Sequence, residues 1–185
     1  VEAPAGVNEG VVVADVTGDA TAELLAGDGD GGVTCWQGKE RLWYVLLDNA
    51  YRPEGLDPFT SRITYWGGYH RNRDISAALA VGDVDGDGKN EIIVASEPGY
   101  VWCLSGEGEP RWSFSTRPAF VEAAPVVADL EGDGTAEIIV GANDRFLYVL
   151  DGAGQLKWKR ETQWGLLPIT AAADLDGDGR REVLC

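Results

Sequence analysis

Carboxylates recur in this sequence with the spacing of an oxygen cage for a hard cation. In the stretch 82–96, acids occupy positions one, three, five and nine of a tight loop: Asp83, Asp85, Asp87 and Glu91. These side chains can turn their oxygens inward, and the backbone carbonyl of Lys89 at position seven adds a further ligand. Ca²⁺ takes six to eight oxygens at about 2.3–2.6 Å. The stretch predicts a calcium site, because four carboxylates this close would otherwise repel one another or take up protons.

The same register occurs in three further places, and the first residues of the four loops are separated by 68, 46 and 45 positions along the chain. One strong copy has Asp129, Glu131, Asp133 and Glu137, with the carbonyl of Thr135 at position seven. The other has Asp174, Asp176, Asp178 and Glu182, with the carbonyl of Arg180. A weaker copy has Asp15, Thr17, Asp19, Thr21 and Glu23, and Ala20 replaces its turn glycine. We therefore expect about three Ca²⁺ sites, with the weaker copy as the candidate for a fourth.

An EF-hand is the nearest alternative, because its loop begins with the same acidic alternation. An EF-hand needs a bidentate acid at position twelve, where this sequence has Val94, and it needs flanking helices. The residues after the loops are β-branched runs such as 92–94 and 138–140, which favour strands. The sequence therefore argues against an EF-hand.

The net charge of −16 is mostly explained by the loops, which hold 15 of the 31 acidic residues. There is no basic stripe, so the composition argues against nucleic-acid binding. No apolar run approaches the length of a membrane span of about 18 residues. The sequence begins at Val1 and contains no Met, which predicts a processed or partial product.

The loops must be positioned by strands, and the strand pattern repeats about every 45 residues. Each unit has a small-residue strand, the acidic loop, a second strand, a turn, a third strand, a glycine-containing turn and a fourth strand with Trp43, Trp112 or Trp158. Four short strands per repeat of this length are typical of a β-propeller blade. We interpret the repeated Trp as a wedge between adjacent blades rather than as a ligand contact.

The predicted fold is therefore all-β, a β-propeller with about three and a half blades in this chain. We expect a single, partial propeller domain over 1–185: blade 1 at about 8–47, an insertion at 48–74, blade 2 at about 75–117, blade 3 at about 120–163 and the start of blade 4 at about 166–185. Closed propellers have about four to eight blades. Either the sequence is a piece of a longer polypeptide or a second chain completes blade 4 by self-association, and the first is the simpler interpretation.

Three cysteines are present, and two of them occupy equivalent repeat positions in strand-like runs. We expect Cys35 and Cys103 to be buried thiols in neighbouring units, while Cys185 can form an intermolecular pair.

The D-x-D-G-D-G-x-x-E loop before a β-branched strand resembles the FG-GAP/VCBS repeats of calcium-binding propellers, including those of integrin α-subunits. The turn-then-Trp segments, such as 149–158, resemble PQQ-type propeller blades. Together the resemblances cover nearly the whole chain outside 48–74. They imply Ca²⁺ at the acidic positions of the strong loops, while Thr17 and Ala20 depart from the family pattern.

The insertion combines aromatic and basic side chains, which are common at interaction surfaces. The candidate surface for a protein or glycan partner consists of Tyr51, Arg52, Tyr65, Trp66, Tyr69, His70 and Arg71. The alternative is a long loop whose aromatic side chains pack onto its own blade.

Three functional hypotheses remain open. The first is a secreted or cell-surface calcium-stabilised propeller that serves in binding, adhesion or structural assembly without catalysis. The second is a polysaccharide-active enzyme, or a fragment of one, because similar calcium-rich propellers include rhamnogalacturonan lyases; His70, Arg71 and Arg73 would then contribute. The third is a quinone-dependent dehydrogenase, implied by the PQQ-like segments. The sequence shows no acid–base or nucleophile–base constellation, so no catalytic residue is assigned.

Overall fold

The computed structural model describes residues 7–47, 64–65, 68–69, 75, 79–117, 119–163 and 171–184, with the backbone alone at 7–9, 64–65 and 68–69. All regular elements in these ranges are strands. The prediction of an all-β fold is confirmed.

Three sheets have four antiparallel strands each, in sequence order. The first sheet contains β1 (Val7–Ala14), β2 (Glu23–Asp28), β3 (Gly32–Gln37) and β4 (Glu40–Leu46). The second contains β7 (Ala80–Gly82), β8 (Glu91–Ser96), β9 (Tyr100–Leu104) and β10 (Pro110–Ser115). The third contains β11 (Val126–Ala128), β12 (Glu137–Gly141), β13 (Phe146–Leu150) and β14 (Leu156–Glu161). We refer to these sheets as blades 1, 2 and 3.

Two further sheets have two strands each. One pairs β15 (Ala171–Ala173) with β16 (Glu182–Leu184), and we refer to it as the start of blade 4. The other is a short hairpin of β5 (Thr64–Tyr65) and β6 (Gly68–Tyr69).

Each acidic loop connects the first two strands of its blade. The residue before the opening Asp pairs with the closing Glu, as Gly82 does with Glu91 and Ala128 with Glu137. In blades 2 and 3 the β-branched run after the closing Glu forms the second strand, because such side chains suit a sheet buried on both faces. Each loop is therefore fixed at both ends by one antiparallel pair.

The core lies between the blades rather than within one of them. Successive residues of β8 face opposite ways: Ile92 packs in a cluster with Leu25 of blade 1, while Ile93 packs in a cluster with Ile138 of blade 3. All four side chains are fully buried. This two-sided burial explains why the second strands show no polar–apolar alternation.

Two of the three repeated Trp residues join one blade to the next, as predicted, whereas Trp158 is 40% exposed. Trp43 Nε1 donates a hydrogen bond of 2.9 Å to the Gly106 carbonyl, and Trp112 Nε1 donates one of 2.9 Å to the Gly152 carbonyl. A Cβ on Gly152 would lie 1.8 Å from the Val84 carbonyl oxygen, so only glycine fits there. The turn of one blade is thus held between the Trp and the acidic loop of the blade before it.

The expected burial of two thiols is also confirmed. Cys35 and Cys103 are free and fully buried, and they belong to different inter-blade clusters. Burial raises the pKa of each thiol to about 12, so both stay protonated at neutral pH. Cys185 lies outside the described residues.

Candidate metal centres

All four acidic loops have the same backbone, which the carboxylate at position one holds in place. In loop 83–91, Asp83 Oδ1 accepts a hydrogen bond of 2.7 Å from Gly86 N, and its Oδ2 accepts one of 2.9 Å from Gly88 N. Asp15, Asp129 and Asp174 accept the equivalent pairs. In loop 129–137 these bonds, that of Gly134 foremost, lower the pKa of Asp129. The position-one carboxylate therefore supports the loop backbone and is also placed to bind an ion.

Positions four and six of every loop lie in the left-handed region. Gly86 and Gly88 have φ values of 78° and 83°, and the glycines of the other loops are similar. In loop 15–23, Ala20 has φ 65° at position six. The loop therefore keeps its shape without the expected glycine, at the cost of a conformation that L-residues disfavour.

The glutamate at position nine links the loop to the core. Glu91 is fully buried, and its Oε2 accepts a hydrogen bond of 3.1 Å from Val84 N at position two. The pKa of Glu91 is raised above its ordinary value, chiefly by burial and also by the charge of Asp85. The hydrogen bond from Val84 N–H and the charge of the Arg111 guanidinium oppose this rise. Glu91 Oε1 is buried and makes no regular hydrogen bond, but it lies 3.0 Å from the Arg111 guanidinium, so this oxygen already faces a cation.

Two loops bring three carboxylates together. Oxygens of Asp83, Asp85 and Glu91 lie within 4.8 Å of one another, and so do oxygens of Asp174, Asp176 and Glu182. Both groups can hold a metal ion. Carboxylate oxygens are the ligands of hard cations such as Ca²⁺ and Mg²⁺. The buried carboxylate of Glu91 fits that use, because a carboxylate is costly to bury without a cation beside it, and Arg111 Nη1 now takes that place 3.0 Å from Oε1.

The acids at position five do not join these groups. Asp87 Oδ1 accepts a hydrogen bond of 2.8 Å from Lys89 N, and Asp178 Oδ1 accepts one of 2.8 Å from Arg180 N. Each also has a second carboxylate oxygen. The assignment of position five as a ligand therefore stays a prediction, as does that of the position-seven carbonyls of Lys89, Thr135 and Arg180.

Loop 129–137 differs from its neighbours in how its acids are used. Asp133 N donates to Asp129 Oδ1 at 3.2 Å, whereas the equivalent Asp87 N donates to the position-three acid, Asp85, at 3.1 Å. Glu131 instead forms an ion pair with Lys157, 3.0 Å from its Oε1. In the described residues, no three carboxylates of this loop come together as they do in the two groups above.

In the weak copy of blade 1 an amide side chain contacts the loop acids, whereas basic side chains do so in blades 2 and 3. Gln37 Nε2 donates to Asp19 Oδ2 at 2.8 Å and to Glu23 Oε1 at 3.0 Å. Thr21 N donates to Asp19 Oδ1 at 2.8 Å. With Thr17 at position three, the carboxylates of this loop are held by hydrogen-bond donors that are already in the chain.

Sequence reasoning missed two basic residues that reach the loops. Arg111 Nη1 lies 2.5 Å from Asp85 Oδ2 and 3.0 Å from Glu91 Oε1. Lys157 Nζ lies 3.0 Å from Glu131 Oε1 and 2.8 Å from Glu137 Oε1. These contacts raise the pKa of Lys157. The available signal was that each basic residue directly precedes the repeated Trp of its blade.

The candidate partner surface of the insertion lies mainly outside the described residues. The backbone of Tyr65 and Tyr69 forms part of the β5–β6 hairpin. The other members, Tyr51, Arg52, Trp66, His70 and Arg71, are not described, and neither is Arg73. Their role stays a prediction.

Comparison with protein families identifies the central part of the chain. Residues 83–140, which include two of the acidic loops, match the model of the FG-GAP-like repeat. The resemblance predicted from the loop motif is confirmed. No curated protein sequence matches the chain.

Solved structures of β-propeller proteins are similar over most of the chain. BamB from Moraxella catarrhalis is 16% identical, with a TM-score of 0.57, over 87% of this chain and 38% of that chain. BBS1N, solved in complex with ARL6DN, is 14% identical, with a TM-score of 0.63, over 92% of this chain and 48% of that chain. The biofilm matrix protein Bap1 of V. cholerae is 23% identical, with a TM-score of 0.61, over 96% of this chain and 28% of that chain.

These likenesses show the fold, which is a partial β-propeller, as predicted. The chain spans less than half the length of each of these proteins. In the described ranges there is no helix of the length and apolarity needed to cross a membrane.

Proposed function

We propose that this chain, which carries an FG-GAP-like repeat in a partial β-propeller, is part of a calcium-stabilised, non-catalytic module for binding or assembly outside the cell. The observation that carries the proposal is the convergence of three carboxylates in loops 83–91 and 174–182. Calcium at these loops neutralises acids that otherwise repel one another.

The position of the loops explains why the ion stabilises more than a hairpin. Asn90 Nδ2, in loop 83–91, donates to the Asp15 carbonyl of the preceding loop at 2.7 Å. Arg181 N donates to the Leu130 carbonyl at 3.1 Å, which joins the start of blade 4 to blade 3. An ion that fixes one loop therefore also fixes the junction between two blades.

The proposed place of action is extracellular or at the cell surface. Extracellular calcium modules bind at about 10⁻⁴–10⁻³ M, which suits an environment where Ca²⁺ is abundant. The Bap1 neighbour is a biofilm matrix protein, and the BBS1N neighbour was solved with a protein partner, ARL6DN. Both support a propeller that binds a protein or glycan partner or assembles with its own copies.

The decisive experiment measures thermal stability with and without calcium. Binding to the folded state alone adds about 2.7 kcal/mol per site when the ligand is at a hundred times its Kd. We expect EGTA to lower the Tm, and Ca²⁺ to restore it in proportion to the logarithm of its concentration. A Tm that is the same in EGTA and in millimolar Ca²⁺ would refute the proposal.

A matched pair of variants assigns the effect to the loops. In the double variant Asp85→Asn/Asp176→Asn, each side chain keeps an oxygen for the backbone N–H at position five but loses its charge. We expect most of the calcium-dependent rise in Tm to be lost. Glu122→Gln removes the charge of an exposed acid outside the loops and should keep the full rise.

A further inference from the structure

A β-bulge at the same place in three blades singles out one residue of each fourth strand. In blade 2, Trp112 pairs with Cys103 and Pro110 with Leu104, so Arg111 is the extra residue. In blade 3, Lys157 is the extra residue between Leu156 and Trp158. A bulge breaks the alternation of side chains and re-aims the inserted one.

The bulge residues of blades 2 and 3 are cations aimed at the acidic loop of their own blade. Lys157 Nζ bridges Glu131 Oε1 and Glu137 Oε1, and Arg111 Nη1 bridges Asp85 Oδ2 and Glu91 Oε1. In each case the acids are those at positions three and nine. The side chains of Glu91 and Glu137 are 1% and 3% exposed, so each pair is partly shielded from water.

Blade 1 supplies an internal control, because its bulge residue and its position three are both uncharged. Its bulge residue is Leu42, which lies between Arg41 and Trp43 in the pairing with β3. Its position three is Thr17. The bulge residue is thus basic in the two blades where position three is acidic, and uncharged in the blade where it is not.

We propose that Arg111 and Lys157 are internal counter-cations that compete with the divalent ion for the carboxylates at positions three and nine. The inference rests on the proposed function, namely that the acidic loops bind calcium. On this proposal the bulge residue sets how strongly each loop depends on metal. Arg111 and Lys157 are positioning residues, because they act through the carboxylates that they contact.

Competition follows from the atoms involved. Calcium would need Glu137 Oε1 at about 2.3–2.6 Å, and the same oxygen now accepts a hydrogen bond of 2.8 Å from Lys157 Nζ. Two cations on one oxygen repel each other, so the ion must displace the ammonium group or bind more weakly. Without metal, the same ammonium group relieves the repulsion between the two acids.

The loops should therefore differ in metal dependence. Loop 129–137 has its acids at positions three and nine paired with Lys157, and they do not converge with a third acid in the described residues. In loop 174–182 the acids at positions one, three and nine converge. We expect loop 174–182 to bind calcium more tightly than loop 129–137.

The test removes the cation in a background where the convergent loops are disabled. Starting from Asp85→Asn/Asp176→Asn, the addition of Lys157→Gln leaves an amide donor like that of Gln37 in blade 1, and the addition of Lys157→Met leaves none. Isothermal titration with CaCl₂ should show the Kd of loop 129–137 falling roughly tenfold in both, the equivalent of about 1.4 kcal/mol.

Two controls distinguish the effect of a positive charge at position 157 from the effect of the net charge of the protein. Lys157→Arg keeps a cation on the bulge and should leave the Kd as in the parent. Arg160→Met removes a positive charge from an exposed side chain of the same strand and should change the Kd less than twofold.

The outcomes also distinguish the two proposals. If the unsubstituted chain binds calcium, and neither Lys157→Gln nor Lys157→Met lowers the Kd, the counter-cation inference is wrong and the proposed function stands. If the unsubstituted chain binds no calcium, the proposed function is wrong. The glutamine variant retains a hydrogen-bond donor to the loop acids, so we expect it to fold even where the methionine variant does not.

Discussion

Loops 15–23 and 83–91 have the same backbone but different chemistry. Both close on a fully buried glutamate, Glu23 or Glu91, that accepts a hydrogen bond from the N–H of position two. Both fold around an aspartate at position one that accepts two backbone hydrogen bonds. The acids that converge in the second loop have no equivalent group in the first, within the described residues.

The difference separates two roles that the repeat motif combines. Positions one and nine shape the loop, since they make the same contacts whether or not the other positions are acidic. Position three and the bulge residue determine which charges the loop contains. These residues are Thr17 and Leu42 in blade 1, and Asp85 and Arg111 in blade 2. Each role can be tested by making the same substitution in both loops.

The largest effect is expected at position nine. Glu91→Ala leaves the buried Val84 N–H without an acceptor and empties a fully buried site, at a cost of about 3 kcal/mol. Glu23→Ala should cost about the same, because Val16 N–H loses the same partner at 2.9 Å. Urea denaturation in the presence of EGTA measures both free energies of unfolding.

The matched control is Glu122→Ala, which truncates an exposed acid and should change the free energy of unfolding by about 0.5 kcal/mol or less. A cost for Glu23→Ala close to that of the control would contradict the shaping role of position nine in blade 1.

The second effect is expected at position one. Asp83→Ala and Asp15→Ala each remove two hydrogen bonds from backbone N–H groups to a partly buried carboxylate, so in EGTA each should cost about 2 kcal/mol. In calcium the cost of Asp83→Ala should rise, because this aspartate is also one of the convergent acids, while that of Asp15→Ala should stay the same. Urea denaturation at both calcium levels checks the comparison.

An equal rise for both variants would contradict the separation of roles, because it would place an ion of equal affinity in each loop. Asp83→Asn and Asp15→Asn are the matched controls. Each keeps one acceptor oxygen, so in EGTA each should lose only about half as much free energy of unfolding as the corresponding alanine variant.

Much of this arrangement could be predicted because it is local in sequence. The nine positions of a loop and the β-branched strand after it are adjacent in the chain, so their spacing shows their geometry directly. The repetition of Trp predicts a contact at the blade junction, and the hydrogen bonds from Trp43 to Gly106 and from Trp112 to Gly152 confirm it for these two residues. For features that are periodic and short in range, the spacing of residues along the sequence predicts the structure.

The cations could not be predicted in the same way, because the contact depends on register. Arg111 follows Glu91 by 20 residues and reaches it through a bulge whose position no local pattern indicates. Loop 129–137 looked as strong as its neighbours from its acids alone. Glu131 has one more methylene than Asp85, and its carboxylate pairs with Lys157 outside any convergent group of three.

The smallest effect is expected at position six, where the two loops differ in the residue but not in the backbone. Ala20 has φ 65° and Gly88 has φ 83°. A left-handed conformation costs an L-residue about 1–2 kcal/mol, and glycine gives back about half of that through its greater freedom when unfolded. Ala20→Gly should therefore raise the free energy of unfolding by about 0.5–1 kcal/mol.

Gly88→Ala is the reciprocal variant and should lower the free energy of unfolding by a similar amount. A Cβ at Gly88 would meet no atom within 4 Å, so its effect comes from the backbone conformation rather than from a clash. Urea denaturation in EGTA measures both variants without the contribution of metal. Opposite signs would show that the two loops differ at this position only in strain; a loss of stability in both would instead mean that blade 1 has adapted to Ala20, and the loops would not be equivalent in shape.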